Sequence, residues 1–187
     1  MPANDPHDST SPSPLLTLGH PLLRQVAQPV DAVEDPSVQR LIDRLLLAVQ
    51  AANGVGIAAP QIGQPVQVVV IASRPNLRYP RAPLMPPTVL VNPRLVAASE
   101  DTELGWEGCL SVPGWRGRVP RHRTVEVDYL DRHGRPHRQV WEGFVARIFQ
   151  HEADHLVGKL FLDHVRSETD RLSETAYQAM EISSLGK

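Results

Sequence analysis

Phe144-Val145-Ala146-Arg147-Ile148-Phe149-Gln150-His151-Glu152-Ala153-Asp154-His155-Leu156 is the most informative run in this chain of 187 residues. Phe144, Val145, Ile148, Phe149 and Leu156, with Leu160 beyond, recur at helical spacing over much of the circumference, which predicts a helix sunk into the core. A separation of four residues puts His151 and His155 on one helix face, about one turn apart. Burying a polar group without a partner costs about 1–3 kcal/mol by mutational measures. The histidines and Glu152 therefore mark a site rather than a solvated helix face.

Working outward, Val125, Val127 and Tyr129 alternate with Glu126 and Asp128, Asp131-Arg132-His133-Gly134 supplies a turn, and Val140 and Trp141 follow. This reads as a hairpin with one face toward water. Val66–Ile71 and Val89–Val96 are short β-branched runs of the strand type, and between them Arg74–Pro87 carries five prolines and reads as a loop. Nearer the N-terminus, Asp35-Pro36-Ser37 precedes the apolar face Val38, Leu41, Ile42, Leu45, Leu46 and Val49, a helix that ends before Gly54, with Gly54 in the turn that follows. Downstream, Ser167-x-x-Asp170 resembles a capping box with Asp in place of Glu, and Leu172, Ala176, Ala179 and Met180 form the face of a last amphipathic helix. The class is α+β: mostly antiparallel strands packed around a buried central helix that carries the HExxH motif, with flanking N-terminal and C-terminal helices. Residues 1–14 hold four of the eighteen prolines and almost nothing apolar, which predicts a disordered tail, and 15–187 form a single domain.

Nineteen basic and twenty-one acidic side chains leave a formal charge of −2, which argues against a general DNA or membrane-surface binder. No run approaches the roughly 20 apolar residues of a membrane-spanning helix. The single cysteine excludes an intramolecular disulfide and suits a reducing compartment. With no basic, apolar leader at the N-terminus, the expected location is the cytoplasm.

In His151-x-x-x-His155 both imidazoles can ligate one divalent ion while Glu152, on the flank, reaches a water bound to it. A catalytic site of this kind normally has three protein ligands and an open position. The continuation Leu156-Val157-Gly158-Lys159-Leu160-Phe161 follows a protease pattern that ends in a third histidine, but Phe161 stands there and cannot ligate. Glu168 and Glu174 are carboxylate alternatives in an exposed-looking helix. Cys109 is the better donor, because a thiolate binds borderline divalent metals tightly and the metal keeps it deprotonated.

Cys109 lies in Glu107-Gly108-Cys109-Leu110-Ser111, and Gly54-Val55-Gly56-Ile57-Ala58-Ala59-Pro60-Gln61 is a glycine-rich stretch ending in an amide. That stretch lacks the last glycine of a dinucleotide fingerprint and precedes a strand, so it is not a phosphate loop. Together with Gln150-His151-Glu152-Ala153-Asp154-His155-Leu156, the two segments closely resemble the three signature motifs of the peptide deformylase family, in the expected order, over about Leu15 to Arg166.

The resemblance implies a hydrolase that removes the formyl group from the initiator methionine of new polypeptides and releases formate. It implies Cys109, His151 and His155 as metal ligands, Glu152 as base and then acid, and the Gln61 side-chain amide and the Leu110 N–H as donors to the oxyanion. Fe2+ is the implied physiological ion, with Zn2+, Ni2+ or Co2+ able to replace it. The implied partner is an N-formylmethionyl peptide. A transient ribosome contact by the final helix occurs in some relatives, but the mixed charge of the helix here supports no inference of binding. Gly56 would let an extended peptide pair with Val55–Ile57 as an added strand. Val55, Phe144 and Ile148 are candidates for the methionine pocket. Arg116, Arg118, Arg121 and Arg123 read as a solvated basic run, with a peptide contact by Arg116 the minority alternative. The residues alone leave open a metal-dependent peptidase acting on another acyl group and a non-catalytic, metal-stabilised scaffold.

Overall fold

A computed structural model describes residues 14–76 and 78–185, so residues 1–13 of the expected N-terminal tail lie outside the described residues. Asp35 caps α1 (Pro36–Ala51) by accepting a hydrogen bond from the Ser37 N–H at 2.7 Å, and Pro36 sits in the first turn, where no N–H is needed. The helix buries Leu41, Ile42, Leu45, Ala48 and Val49, as its apolar spacing predicts. The left-handed residue after it is Asn53, at φ 51°, and not Gly54. Gly54 is confined by packing instead, since a Cβ there would lie 3.2 Å from both Leu110 Cδ1 and Val49 Cγ2.

In chain order the strands are β1 (Gly56–Ala58), β2 (Val68–Ile71), β3 (Thr88–Ala98), β4 (Thr102–Cys109), β5 (Val112–His122), β6 (Thr124–Leu130), β7 (Pro136–Glu142) and β8 (Arg171–Ser173). One sheet has the order β1-β2-β3-β6-β7 and the other β4-β5-β8, every pairing antiparallel. The β6–β7 hairpin closes on the expected Asp131–Gly134 turn, with Val125, Val127 and Tyr129 buried and the intervening residues partly exposed.

The β4–β5 hairpin was not legible in the sequence, because residues 102–122 contain four glycines and two prolines where strand formers are expected. Gly105 and Gly117 answer to packing, whereas Gly114 takes a left-handed φ of 82° with open space around it. A Cβ on Gly105 would meet the Arg147 guanidinium at 2.7 Å, and one on Gly117 would meet the Phe161 ring at 2.6 Å.

Helix α2 (Gly143–Leu156) lies between the sheets, touching β1, β2, β6 and β7 on one side and β5 on the other. Ala146, Ile148, Phe149 and Leu156 pack into a core with Val69, Ile71, Leu90, Val125, Val127 and Trp141. Each such large apolar side chain contributes about 1.5–3 kcal/mol on burial. Leu160, counted with this helix in the sequence, lies past its end, beyond the left-handed Gly158 at φ 71°. It packs instead with Cys109, Val112 and Phe161.

The C-terminal expectation needs correction. Ser167 Oγ does accept from the Thr169 N–H at 3.2 Å, but it opens only a short 3-10 turn, after which Arg171–Ser173 pairs with Trp115–Gly117. Long-range pairing captured the segment that local capping would have made helical. The helix α3 (Glu174–Leu185) starts later, with the Ala176 N–H donating to Ser173 Oγ at 3.1 Å. Ala176, Ala179 and Met180 are exposed, and the ring it buries is Tyr177, 5.8 Å from Trp106.

Candidate metal centre

Strand β4 ends on Cys109, and α2 presents His151 and His155 one turn apart. The ligand atoms of these three buried residues lie within 4.8 Å of one another, and Cys109 Sγ is 3.2 Å from His155 Nε2. Burial opposes ionisation of the thiol, but the His155 charge and hydrogen bonds from both imidazoles outweigh it and hold Cys109 well below the usual thiol range. Burial also opposes charge on His151, yet Cys109 and Glu107 raise that imidazole well above its ordinary value.

Glu107 explains how His151 is aimed. It is 3% exposed, and its Oε2 lies 2.9 Å from His151 Nδ1, which leaves Nε2 as the ring nitrogen on the Cys109 side. Arg121 binds the same carboxylate at 2.9 and 3.0 Å, and Arg147 adds a contact at 3.0 Å. Burial alone would push Glu107 up; the His151 hydrogen bond and Arg121 hold it well below the usual carboxylate range. Glu107 was not among the site residues expected. Its position two residues before Cys109 on a strand, hence on the same face, is the signal that could have found it.

The chain leaves β1 through a 3-10 turn, Ala59–Ile62, that delivers Gln61. Gln61 Oε1 accepts from the Ala58 N–H at 2.8 Å, which orients the amide. Its Nε2 then donates to Ser111 Oγ at 3.1 Å and toward Cys109 Sγ at 3.5 Å. Gly56, Gln61, Cys109, Leu110, His151 and Glu152 line one cavity together with Val55, Phe144 and Ile148. Only His155, of the site residues expected, stands behind that wall.

Glu152 is buried, and desolvation pushes its carboxyl up to about 7 against the opposing charges of His151 and His155. Its Oε2 makes no hydrogen bond among the described residues. A buried oxygen without a partner, on the wall of a cavity, suits a group that works on what the cavity binds. Gly56 answers to this carboxyl: a Cβ there would lie 2.5 Å from Glu152 Oε1 and 2.8 Å from Ile148 Cγ2.

The basic run after the cysteine is only partly a solvated surface. Arg123 is exposed and Arg118 half-buried, but the Arg116 side chain is fully buried and Arg121 nearly so, each held by a carboxylate. Arg116 binds Glu174 at 2.7 and 2.9 Å, which also removes Glu174 as an alternative metal ligand, while Glu168 lies exposed on the outer turn.

A thiolate and two imidazoles with their ligand atoms already gathered match a borderline divalent ion, so the residues present fit a metal. The family model described as polypeptide deformylase matches residues 12–171. The chain belongs to the peptide deformylase family. Peptide deformylases are metal-dependent hydrolases that remove the N-formyl group from nascent polypeptides, and this is the activity of the chain. It is 52% identical over 167 residues to peptide deformylase 2 of Nostoc sp., covering 89% of this chain and 93% of that one. It is 45% identical over 155 residues to peptide deformylase 1 of Bordetella pertussis, covering 83% and 88%. Among solved structures, the class I type b peptide deformylase from Acinetobacter baumannii bound to Met-Ala-Ser superposes with a TM-score of 0.81 at 44% identity, covering 83% of this chain and 99% of that one. The Synechococcus elongatus peptide deformylase in complex with actinonin gives 0.75 at 41% identity, covering 85% and 81%.

Proposed function

We propose that Cys109, His151 and His155 hold the metal of this deformylase, that Fe2+ is the physiological ion with Zn2+, Ni2+ or Co2+ as substitutes, and that Glu152 and Gln61 carry the chemistry. The observation that supports this most directly is the gathering of three ligand atoms within 4.8 Å beside a buried carboxyl on the wall of a cavity. A divalent ion held there supplies Lewis acidity, lowering the pKa of water and polarising the formyl carbonyl.

The remaining work falls to the chain itself. Val55–Ile57 forms an edge of its sheet, and the Ala72 N–H donates to the Val55 carbonyl at 2.7 Å. The alternation of an antiparallel ladder then turns the N–H and C=O of Gly56 toward the open edge, where an extended N-formylmethionyl peptide pairs as an added strand. The methionine side chain enters the apolar wall of Val55, Phe144 and Ile148. Glu152 accepts the proton of the attacking water and returns it to the leaving nitrogen. As the formyl carbon becomes tetrahedral, the Gln61 Nε2 and the Leu110 N–H donate to its oxyanion, and the Ala58 bond to Gln61 Oε1 keeps that donor aimed before the reaction begins.

In this reading residues 15–187 form a single catalytic domain that works in the cytoplasm on N-formylated nascent chains. Among the described residues no helix is long and apolar enough to cross a membrane. The test is Glu152→Ala: bound metal at the wild-type level, with formate release from formyl-Met-Ala-Ser reduced at least about 100-fold. Unchanged turnover, or equal hydrolysis of the acetylated peptide by the wild type, would overturn it.

A further inference from the structure

Arg78, Tyr79, Trp106, Phe144 and Arg147 line both the reaction cavity and an adjoining cavity of about 420 Å3, which Arg81 and Tyr177 help to enclose. Charge in the adjoining cavity is one-sided. Residues 78–82, which line it, carry Arg78 and Arg81 and no Asp or Glu. Two of the neighbouring guanidiniums are already committed. Arg147 binds Glu107 at 3.0 Å and the Glu103 carbonyl at 2.7 Å, and Arg116 is clamped by Glu174 with its side chain fully buried.

Arg78 differs from both. It is half-buried, and among the described residues its guanidinium makes no hydrogen bond and no ion pair within 4 Å; the Glu174 carboxylate acts on it only at longer range, and the Tyr79 ring lies 5.9 Å away. Its position is nevertheless set. The Gly108 N–H donates to the Tyr79 hydroxyl at 3.2 Å, and the Tyr79 ring packs on Phe144 at 5.1 Å. The Arg78 Nη2 itself stands so close to Gly108 that a Cβ there would lie 2.7 Å from it. A guanidinium held beside the reacting centre with its donors unused favours an oxygen acceptor, above all a carboxylate.

We propose that Arg78 binds the formylated peptide beyond its methionine and makes the enzyme prefer an acidic side chain among the residues that follow. The proposal rests on the deformylase reading of the cavity. Arg116 does not fill this role: its Nη1 has no partner among the described residues, but its side chain is fully buried, is clamped by Glu174 through Nε and Nη2, and lines neither cavity.

The test is kcat/KM for formate release from formyl-Met peptides in which a single Asp or Lys is moved through the second, third and fourth positions. In at least one position the Asp peptide is expected to exceed its Lys counterpart by about 5-fold or more at low ionic strength, an advantage that shrinks with added salt. In Arg78→Ala the ratio falls to near one, the loss carried by KM, and Arg78→Lys restores part of it. Unfolding midpoints of both variants verify that the fold is retained. Equal values for Asp and Lys at every position in the wild type, or a ratio unchanged in Arg78→Ala, would overturn the proposal while leaving deformylation standing. No formate from any peptide would overturn both.

Discussion

His151 Nδ1 lies 2.9 Å from Glu107 Oε2, so a strand of the three-stranded sheet sets the rotation of an imidazole carried by the central helix. The carboxylate that does this is itself gripped by Arg121 and Arg147. A ring nitrogen tied to a buried, ionised carboxylate keeps one tautomer and one orientation, with the opposite nitrogen directed at the cluster.

Glu107→Gln keeps the size of the side chain and removes its charge. Metal affinity is expected to fall about 10- to 100-fold, as is typical when the outer partner of a ligating histidine is lost. Competition with a chelator on the folded variant measures it, and wild-type affinity would contradict the assigned role.

Gly56→Ala places a methyl 2.5 Å from Glu152 Oε1. The carboxyl must move, because the other neighbour, Ile148 Cγ2, is only 2.8 Å from the same point. We expect kcat/KM to drop at least about 10-fold with the fold and bound metal retained, since an ångström of misplacement can cost about 100-fold. Steady-state formate release with parallel circular dichroism tests this.

Gly117→Ala acts on stability instead. Its Cβ would meet the Phe161 ring at 2.6 Å and Val165 Cγ2 at 2.8 Å. Overpacking of this kind costs about 1–3 kcal/mol. Urea unfolding of metal-loaded protein reads the difference, and a shift below a few tenths would show that the Phe161 ring simply turns aside.

The Arg116–Glu174 pair gives stability a dependence on acid. The Arg116 hydrogen bond holds Glu174 below its ordinary 4.5, with burial opposing. A carboxyl lowered on folding stabilises fully above its unfolded value and loses that contribution as the pH falls through the lower folded one. Unfolding midpoints of wild type and Glu174→Gln are therefore expected to differ most at neutral pH and to converge below 4.5. A gap that stays constant into acid would contradict the pair's role.

Much of the architecture was legible along the chain. Helix α1 follows from Asp35-Pro36-Ser37 and its apolar face, and the β6–β7 hairpin from the alternation around Val125, Val127 and Tyr129, because these elements announce themselves within a dozen neighbouring residues. The β4–β5 hairpin did not, since Gly105 and Gly117 within it are explained by Arg147 and Phe161 arriving from elsewhere in the chain. The start of α3 did not either, since pairing with Trp115–Gly117 overrode the local cap.

What the sequence determined by itself is the chemistry available: one cysteine, two histidines a helical turn apart, a glutamate between them, and a glycine-rich stretch ending in Gln61. Residue type and short spacing are local properties and survive without a fold. Tertiary structure alone decided which groups meet: that Glu107 orients His151, that Glu152 presses on Gly56, and that Glu174 clamps Arg116 while Arg78, among the described residues, makes no hydrogen bond or close ion pair in the cavity. Those are contacts between residues far apart in the chain, and the strength of a buried charge pair depends on distance and desolvation, neither of which is written in the spacing of letters.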